Sequence, residues 1–322
     1  MRICTVSHSH IALRQQLFFK EVARQGHDVL MISPGMWFDY KVEPQEVTYP
    51  NGKWQLKTCR HMNDNIYEFT LLGAKELVSE FKPDWLYIQQ EPGSTLAREG
   101  LTWKAKKRAI FTWENISIKG MGREDLKGYD LVICGNPEAE ELAKVHNPHT
   151  ALILQVGVDT DHFQARPINR IIDVGYIGRP APEKGIKYVV EAWPTVHILK
   201  WTEFRNLPWF YSQIKIVVCF SQDTFIWREQ APNYVALEAL SCGCKCIISD
   251  TAAMKYWLEG CPGVVIAGGY SPLYDPTRTA KLKNSISMAL SLGLNSSGRE
   301  WVIRNFSNPV VAKYLLEEFE DA

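Results

Sequence analysis

The sequence predicts an α/β fold of two domains, each a parallel β-sheet covered by helices. Short apolar runs rich in β-branched residues alternate along the chain with stretches of helical periodicity, a pattern typical of parallel sheets. A second set of such units begins near Ile171, after a polar segment, Asp159–Arg170, that contains Pro167. The 322 residues are enough for two α/β domains.

The first half opens with a predicted strand, Ile3–Val6, and a predicted helix, Ile11–Gln25, which Gly26 ends as a C-cap. Its further predicted strands are Asp28–Ser33, Trp85–Gln89, Ala109–Thr112 and Leu131–Cys134. Its further predicted helices are Glu68–Phe81 and Leu101–Lys107. The segment Met36–Asn65 has no clear period, so we expect it to form loops or a short hairpin.

The second half repeats the alternation. Its predicted strands are Ile171–Ile177, Val196–Lys200, Ile214–Cys219, Cys246–Ser249 and Gly263–Ile266. Its predicted helices are Gly185–Ala192, Pro232–Ser241, Ala253–Leu258, Thr277–Leu292 and Pro309–Phe319. We therefore expect two Rossmann-like domains, residues 1–165 and 166–306, followed by a C-terminal helix in residues 307–322. The two sheets are expected to face each other across a cleft, with the ligand outside the carboxyl ends of the strands.

Composition excludes several classes of protein. Lys plus Arg and Asp plus Glu both number 36, so no overall field attracts the chain to nucleic acid. No apolar run approaches the roughly 20 residues of a membrane span. Eight cysteines are scattered, several in apolar runs, and the spacing Cys242-Gly-Cys244-Lys-Cys246 is not a usual zinc pattern. We expect reduced core thiols in a cytoplasmic protein, with attachment to a membrane surface left open.

One loop of the second half carries two cations. A predicted strand ends at Gly178-Arg179, and Glu183-Lys184-Gly185 precedes a predicted helix. A departing nucleoside diphosphate is strongly anionic, and without a bound metal an enzyme neutralises it with Arg, Lys and helix N-termini. Arg179 and Lys184 suit that chemistry. A solvated turn with a lysine at the helix start is the alternative interpretation.

A second segment adds a helix start and a carboxylate. Pro232 marks the beginning of the predicted helix, and Gly243 marks its end. The free N–H groups around Asn233 and Tyr234 would form an anion site. Glu238 lies between apolar neighbours on this helix and needs a polar partner, which ribose hydroxyls would supply.

Together these segments resemble the retaining GT-B glycosyltransferases of family 4. The residues that carry the resemblance are Gly157–Phe163, Gly178-Arg179, Glu183–Gly185, Pro232–Gly243 and Gly298–Ser307, with Gln25–Val29 and Gly135–Ala139 in the first half. The resemblance covers nearly the whole chain. It implies that Arg179 and Lys184 bind the diphosphate, that Glu238 holds the ribose, and that the loop before Pro232 touches the donor sugar. It also implies a last helix that crosses back onto the first domain.

The chain departs from the family pattern at three places, the third of which lies on the acceptor side. Gln230 stands eight residues before Glu238, where the family usually has a glutamate. Either a one-residue loop shift lets Glu229 supply the carboxylate, or the Gln230 amide hydrogen-bonds a sugar hydroxyl. The stretch between Ala192 and Ile214 is short, which leaves Lys200-Trp201-Thr202 as the candidate that reads the nucleobase.

The acceptor side has weaker signals. Where the family places a histidine at the end of a strand, the nearest equivalent here is Glu114, a candidate base for the acceptor hydroxyl, and Trp113 precedes it. Glu91, also at a strand end, is a competing candidate. Ser7, His8, Ser9 and His10 follow the first strand and would approach the donor across the cleft. Helix capping, loop solvation or a structural turn is the alternative interpretation for these residues.

The sequence therefore predicts a metal-independent, retaining glycosyltransferase that uses a nucleotide diphosphate sugar as co-substrate and no other cofactor. The aromatic and basic segment Trp37–Tyr67 would shape the site for a glycan, a lipid-linked sugar or a small molecule, and the zero net charge disfavours a nucleic acid acceptor. Two alternatives remain, a catalytically silent nucleotide-sugar-binding protein and a GT-B nucleotide-sugar epimerase. An NAD-dependent dehydrogenase is disfavoured because the chain has no Gly-x-Gly-x-x-Gly motif.

Overall fold

The structure is a computed structural model that describes residues 1–116, 123–199, 202–224, 227–268, 277–293 and 297–322. The chain forms two compact α/β units. Unit 1 comprises Met1–Gly157 and Asn308–Ala322, and unit 2 comprises Val158–Ser307. The division between the units thus falls earlier in the chain than the expected one after residue 165. Among the described residues, no helix combines the length and apolar character that crossing a bilayer requires.

Unit 1 is built on a nine-stranded sheet. Its eleven strands, of which β3 and β4 form a separate small hairpin, are β1 Arg2–Val6, β2 Asp28–Pro34, β3 Met36–Trp37, β4 Tyr40–Lys41, β5 Gln45–Tyr49, β6 Gly52–Met62, β7 Thr70–Leu72, β8 Trp85–Gln89, β9 Lys107–Thr112, β10 Leu131–Cys134 and β11 Thr150–Leu152. The order β6-β2-β1-β8-β9-β10-β11 is parallel throughout. Strands β5 and β7 both pair with β6 in antiparallel fashion.

The helices of unit 1 cover this sheet and bury its apolar strands. They are α1 Leu13–Arg24, α2 Ala74–Phe81, α3 Thr95–Thr102, α4 Pro137–Lys144 and, from the C-terminus, α11 Asn308–Asp321. On α11 the Phe319 ring stacks on Trp85 at 4.7 Å, and the Trp85 indole N–H donates to the Phe319 carbonyl at 3.0 Å. The last helix therefore packs on unit 1 although unit 2 precedes it in the sequence.

The segment Met36–Asn65 is more regular than the sequence predicted. It contains the expected hairpin, β3–β4, but also the long strand β6, which pairs in parallel with β2 inside the main sheet. Trp54 and Leu56 on β6 are fully buried, and polar residues alternate with them. This period of two was hidden by the lysines and glutamine between the apolar residues.

Two helices of unit 1 have different bounds from those that the sequence predicted. The structure ends α3 at Thr102, so the predicted helix Leu101–Lys107 is wrong. The Ser94 side chain caps α3 by accepting from the Ala97 N–H at 3.2 Å, which starts the helix earlier than its apolar pattern suggested. The predicted helix Glu68–Phe81 is observed only from Ala74, because the short strand β7 comes first.

Unit 2 is built on a five-stranded, all-parallel sheet. Its strands are β12 Ile172–Ile177, β13 His197–Leu199, β14 Ile214–Cys219, β15 Lys245–Ser249 and β16 Val264–Ala267, in the order β13-β12-β14-β15-β16. Its helices are α5 Ile186–Ala192, α6 Leu207–Gln213, α7 Tyr234–Ser241, α8 Ala252–Leu258, α9 Arg278–Ser291 and α10 Ser297–Phe306. Of the candidate base-reading segment, residues 200 and 201 lie outside the described residues.

The polar segment Asp159–Arg170, expected to be a linker, is tied into unit 2. The Asp159 carboxylate accepts from the His162 N–H at 2.9 Å, and Phe163 is fully buried. The Arg170 guanidinium donates to the carbonyls of Tyr211 and Cys242, at 3.0 and 2.6 Å. Polar side chains at both ends of the segment, Asp159 and Arg170, thus bind backbone groups of unit 2.

Each sheet has one switch point, the place between two neighbouring strands from which the strand order runs in opposite directions. In unit 1 it lies between β1 and β8, and in unit 2 it lies between β12 and β14. Loops leaving the carboxyl ends of the two strands run in opposite directions there, and open α/β sheets bind ligands in the resulting crevice. Many of the candidate residues from the sequence lie on these loops, after β1 and β8 in unit 1 and after β12 and β14 in unit 2. Trp113 and Glu114 instead follow β9, and Glu238 lies on α7.

Candidate functional site

In unit 2, the loop after β12 lies against the loop after β14. Gly185 has a φ of +66°, and a Cβ added there would lie 2.0 Å from the Phe220 carbonyl oxygen. The Gln222 N–H donates to the Glu183 carbonyl at 2.7 Å. A side chain at position 185 would both strain the backbone and push the two loops apart, so glycine is required for this approach.

Lys184 stands next to that glycine and contacts the second loop. Its ammonium lies 2.7 Å from the Glu229 carboxylate and 5.0 Å from the centre of the Trp227 ring. A quarter of the lysine side chain remains exposed. The structure therefore brings Lys184 and the residues just before Gln230 together.

Glu229 is held by groups other than Lys184. It is only 6% exposed, and the same carboxylate oxygen that contacts Lys184 accepts from the Ser221 hydroxyl at 2.5 Å. Its backbone N–H donates to the Asp223 carboxylate at 2.8 Å. Sequence analysis gave Ser221 and Asp223 no individual role, although both directly follow β14, where polar residues of a parallel sheet carry function.

Arg179 differs from Lys184. Its side chain is 70% exposed and forms an ion pair at 3.0 Å with Glu183, four residues later in the same loop. The Arg179 carbonyl accepts from the Tyr176 hydroxyl at 2.8 Å, which orders the backbone after Gly178, a residue with a φ of +141°. The two predicted cations thus lie in one loop, but of the two only Lys184 forms an ion pair with the described residues of the loop after β14.

Helix α7 begins at Tyr234, two residues later than the predicted start at Pro232. Asn233 precedes it with a φ of +62°, and its side chain accepts from the Val235 N–H at 3.2 Å. One of the N–H groups that the sequence assigned to an anion therefore has an internal partner. The anion site expected around Asn233 and Tyr234 is correspondingly smaller.

Glu238 has a polar partner that sequence analysis missed. It is 1% exposed, and its carboxylate accepts from the Tyr211 hydroxyl at 2.9 Å. Burial, followed by the nearby Glu238 charge, holds the pKa of the Tyr211 hydroxyl well above its usual range. Tyr211 lies on α6, a helix that the sequence did not predict, so no sequence signal linked the two residues.

Gln230 is partly exposed and lies between the ion-paired Glu229 and the buried Pro232. The Glu229 carboxylate, which the sequence offered as a replacement after a loop shift, is bound to Lys184 and Ser221 instead. In this structure the amide of Gln230 is therefore the group at the position that the resemblance assigns to the donor sugar.

In unit 1 the loop after β1 forms a short 3-10 helix, His8–Ile11. The Ser7 side chain caps it by accepting from the Ser9 N–H at 3.0 Å, and the Ser9 hydroxyl lies 2.8 Å from that of Ser7. His10 is fully buried, with ring nitrogens 3.2 Å from the Thr5 hydroxyl and 3.1 Å from the Ile32 carbonyl. Burial lowers the pKa of His10 to about 3. This environment contradicts the prediction that His10 approaches a donor.

His8, rather than His10, is the partly exposed histidine of this loop. Its Nδ1 lies 2.9 Å from the Gln90 side-chain oxygen, which connects the loop after β1 with the loop after β8. Its ring packs against Trp37 and Phe69, with centroids 5.1 and 5.6 Å away. Burial lowers the pKa of His8, so the ring is neutral near pH 7. The sequence predicted that His8, like Ser7, Ser9 and His10, approaches the donor.

Glu91 lies at the carboxyl end of β8 and is hydrogen-bonded to the end of β9. Its carboxylate accepts from the Thr112 hydroxyl at 2.6 Å and from the Trp113 N–H at 3.1 Å. Burial nevertheless raises the pKa of Glu91 to about 7, and the nearby Glu114 charge adds to this rise. A carboxyl group with such a pKa can take up a proton near neutral pH.

Glu114 is more deeply buried than Glu91, with 4% of its surface exposed. Its backbone N–H donates to the Thr112 hydroxyl at 3.0 Å. Burial, followed by the charges of Glu114 and Glu91, raises the pKa of the Tyr67 hydroxyl to about 12. The two competing acceptor-side candidates from the sequence are thus neighbours in one carboxylate pair.

Trp113 is positioned by a close approach to the backbone of the next strand end. A Cβ added at Gly135 would lie 2.1 Å from the Trp113 ring, so only glycine leaves room for the indole. The indole N–H of Trp113 donates to the Gln155 side chain at 3.4 Å, and the ring packs edge-on against Phe111. Trp113 therefore has a fixed orientation beside Glu91.

The cysteines show no sign of reactivity. All eight are buried free thiols. Burial raises the pKa of the Cys246 thiol well above its usual range and that of Cys244 to about 11. Among the described residues, no group of three or more His, Cys, Asp or Glu side chains is placed to hold a metal ion.

Comparison with known proteins identifies the fold. No protein-family model matches the sequence, and no curated protein gives a significant match. Sucrose-phosphate synthase from Thermosynechococcus elongatus is 14% identical, covers all of this chain and 98% of its own, and superposes with a TM-score of 0.71. The chain has the GT-B fold. Anabaena HepE in complex with UDP-glucose is 12% identical over 100% of both chains, with a TM-score of 0.63. An α,α-trehalose 6-phosphate synthase from Burkholderia multivorans is 10% identical over 99% of this chain and 98% of its own, with a TM-score of 0.64.

Within this GT-B fold, most of the candidate residues fall into two groups, one in each unit. The group in unit 2 contains the predicted residues Gly178, Arg179, Lys184, Glu229, Gln230, Pro232, Asn233, Tyr234 and Glu238, joined by Ser221, Trp227 and Tyr211. The group in unit 1 contains the predicted residues Glu91, Trp113, Glu114, His8 and Ser9, joined by Gln90 and Tyr67. The first group is dominated by paired cations and anions, and the second by carboxyl groups and aromatic rings.

Proposed function

We propose that this protein is a glycosyltransferase that takes a sugar from a nucleotide diphosphate sugar bound by unit 2. One observation carries the proposal: the Lys184 ammonium lies at the switch point of the unit 2 sheet, 2.7 Å from a carboxylate on the neighbouring loop. That contact shows that an anion fits beside Lys184. A diphosphate leaving group needs such a cation as its charge develops in the transition state.

In this proposal, different residues of unit 2 bind different parts of the donor. Lys184 binds the diphosphate, and Arg179, which is exposed, closes on it from the same loop. Glu238 accepts from the ribose hydroxyls, and Gln230 hydrogen-bonds the donor sugar. HepE, a protein of the same fold, has been solved in complex with UDP-glucose, which supports UDP-sugars as the first donors to test. The proposed reaction retains the anomeric configuration and requires neither a metal nor a further cofactor.

Unit 1 supplies the base in this proposal. Glu91 is the better of the two candidates, because a pKa of about 7 is matched to proton transfer near neutral pH. Glu114 would not take the proton itself, and its charge would raise the pKa of Glu91. The acceptor is a hydroxyl of a glycan, a lipid-linked sugar or a small molecule. The eight free thiols support a cytoplasmic location for the reaction.

Donor binding and turnover test the proposal in turn. Thermal-shift measurements with UDP-, GDP-, ADP- and dTDP-sugars identify the donor, because a ligand that binds the native state raises its Tm. Turnover of that donor is then measured with and without EDTA, and the anomer of the product is determined by NMR. We expect one class of donor to raise the Tm, and turnover that EDTA leaves unchanged. Interconversion of the nucleotide sugar without an acceptor would instead reveal an epimerase.

A silent nucleotide-sugar-binding protein is the second candidate, and Gln230 is the observation that favours it. The matched comparison is between the natural chain and Gln230→Glu. If the natural chain binds a donor and turns it over, the enzyme is supported. If it binds a donor without turnover, and Gln230→Glu also fails to turn it over, the silent protein is supported.

A further inference from the structure

The Lys184–Glu229 pair is unusual within unit 2 because one partner is almost completely buried. The Lys184 ammonium contacts the Glu229 carboxylate at 2.7 Å, and the exposed fractions of the two side chains are 25% and 6%. The Arg179–Glu183 pair in the same loop is far more open, with exposed fractions of 70% and 24%. An ion pair with a desolvated partner interacts much more strongly than an exposed one.

Glu229 is fixed while Lys184 is adaptable. The carboxylate is bound by the Ser221 hydroxyl, and the Glu229 backbone is bound by Asp223. Lys184, by contrast, has a flexible stem, and besides Glu229 it contacts the face of the Trp227 ring. An incoming anion can therefore draw the ammonium away, whereas Glu229 stays where it is.

We propose that Glu229 is an internal competitor of the diphosphate for Lys184, and that it lowers the affinity of the site for nucleoside diphosphates relative to monophosphates. The inference rests on the proposed function, since it assigns the diphosphate to Lys184. A diphosphate that binds Lys184 separates the ammonium from Glu229 and leaves a buried carboxylate with a hydroxyl partner. This cost makes the free energy of diphosphate binding less favourable. A monophosphate lacks the terminal phosphate that competes for the ammonium and incurs little of the cost.

The consequence for the proposed reaction is release of the product. After sugar transfer the nucleoside diphosphate must leave, and re-formation of the Lys184–Glu229 pair favours its departure. Glu229 is in this sense a determinant of diphosphate affinity rather than a catalytic residue. The neighbouring Gln230 is neutral and does not compete.

Glu183 offers a matched control. Glu229→Gln and Glu183→Gln each remove one negative charge from a pair with a cation of the same loop, and both keep the shape of the side chain. Titration calorimetry with UDP and UMP at one ionic strength compares the two variants with the natural chain. We expect Glu229→Gln to bind UDP about tenfold more tightly and UMP within about twofold of the natural chain. Glu183→Gln should remain within about twofold for both nucleotides.

Several outcomes would overturn the inference. They are unchanged or weaker UDP binding by Glu229→Gln, an equal gain for UMP, or an equal gain in Glu183→Gln, which would indicate a long-range charge effect. Glu229→Asp, which withdraws the carboxylate from Lys184 by one methylene, is measured alongside in case Glu229→Gln does not fold. It should tighten UDP binding in the same direction and to a smaller extent, and no change would count against the inference.

The proposed function fails in a different way. If UDP binding tightens in Glu229→Gln but no sugar is transferred from any donor, the inference stands and the enzyme assignment does not. If transfer occurs and UDP binding does not tighten, only the inference is lost. If neither the natural chain nor Glu229→Gln binds UDP or inorganic pyrophosphate, both are overturned.

Discussion

The two units have the same kind of switch point in their sheets but very different chemistry there. In unit 2, the loops after β12 and β14 hold a lysine and a buried glutamate that neutralise each other. In unit 1, the loops after β1 and β8 hold a neutral histidine and a buried carboxyl group whose pKa is raised to about 7. Topology decides where functional loops meet, and the charge balance of the loops decides what they can do.

The physical difference is the presence or absence of a cation near a buried carboxylate. Glu229 has Lys184 beside it. Among the residues that the structure describes, Glu91 is bound by neutral donors such as the Thr112 hydroxyl and the Trp113 N–H, and the charge that acts on it is that of Glu114. A compensated carboxylate stays ionised, and an uncompensated one binds a proton near neutral pH. We therefore expect unit 2 to bind anions and unit 1 to exchange protons.

The largest effect is expected when the cation of unit 2, Lys184, is removed. Lys184→Ala should lower kcat/KM on the order of 10²- to 10³-fold, the scale of losing one preorganised donor to a developing charge. Lys187→Ala removes an exposed lysine from the following helix and serves as the control. Steady-state kinetics with the identified donor make the comparison. A loss as small as that of Lys187→Ala would show that Lys184 does not contact the diphosphate.

The second prediction concerns the buried carboxylate of α7. Glu238→Gln should weaken UDP binding about tenfold, with a Tm change of only a few degrees, because the amide oxygen can still accept from Tyr211. Tyr211→Phe removes the same hydrogen bond from the other side. It should lower the Tm more than it weakens UDP binding. If Glu238→Gln lowers the Tm and leaves UDP binding intact, Glu238 is a structural residue.

The third prediction concerns the proton site of unit 1. Because the pKa of Glu91 is raised to about 7 in the folded state, its neutral form is favoured on folding. The associated stability is complete below the ordinary pKa of glutamate and is lost as the pH rises through about 7. The Tm of Glu91→Gln minus that of the natural chain should therefore increase as the pH rises from about 5 to 8.

The same variant tests the role of Glu91 in catalysis. If Glu91 is the base, the kcat/KM of the natural chain rises as the pH increases through about 7, and Glu91→Gln loses both that rise and most of the activity. Glu114→Gln is the comparison, since it lowers the pKa of Glu91 by removing a neighbouring charge. An unchanged pH profile in Glu91→Gln would shift the assignment to another group.

The smallest effect is expected at Arg179. Its side chain is mostly exposed and its pair with Glu183 is open to solvent. Arg179→Ala should lower kcat/KM several-fold and in a salt-dependent manner, far less than Lys184→Ala. Kinetics at low and high ionic strength measure the difference. An equal loss in the two variants would mean that donor binding draws Arg179 into the site as fully as Lys184.

Much of the fold was predictable because its signals are local. Most of the parallel strands are continuous apolar runs, and helices such as α1 have a clear apolar period, so the alternation of the two was readable. The long strand β6 was missed because lysines and a glutamine alternate with its buried residues. Helix α3 was misplaced because its start depends on a cap from Ser94 rather than on apolar spacing.

By itself, the sequence determined the α/β alternation, the loops that carry Lys184, Glu229 and Glu91, and the helix that carries Glu238, because strand ends and helix starts are local features. Only the tertiary structure decided the partners of those residues. It paired Lys184 with Glu229 across 45 positions and Glu238 with Tyr211 across 27, and it buried His10 in the core. Such pairings depend on which loops the strand order brings together, and strand order is set by packing of the whole sheet rather than by any short segment of the chain.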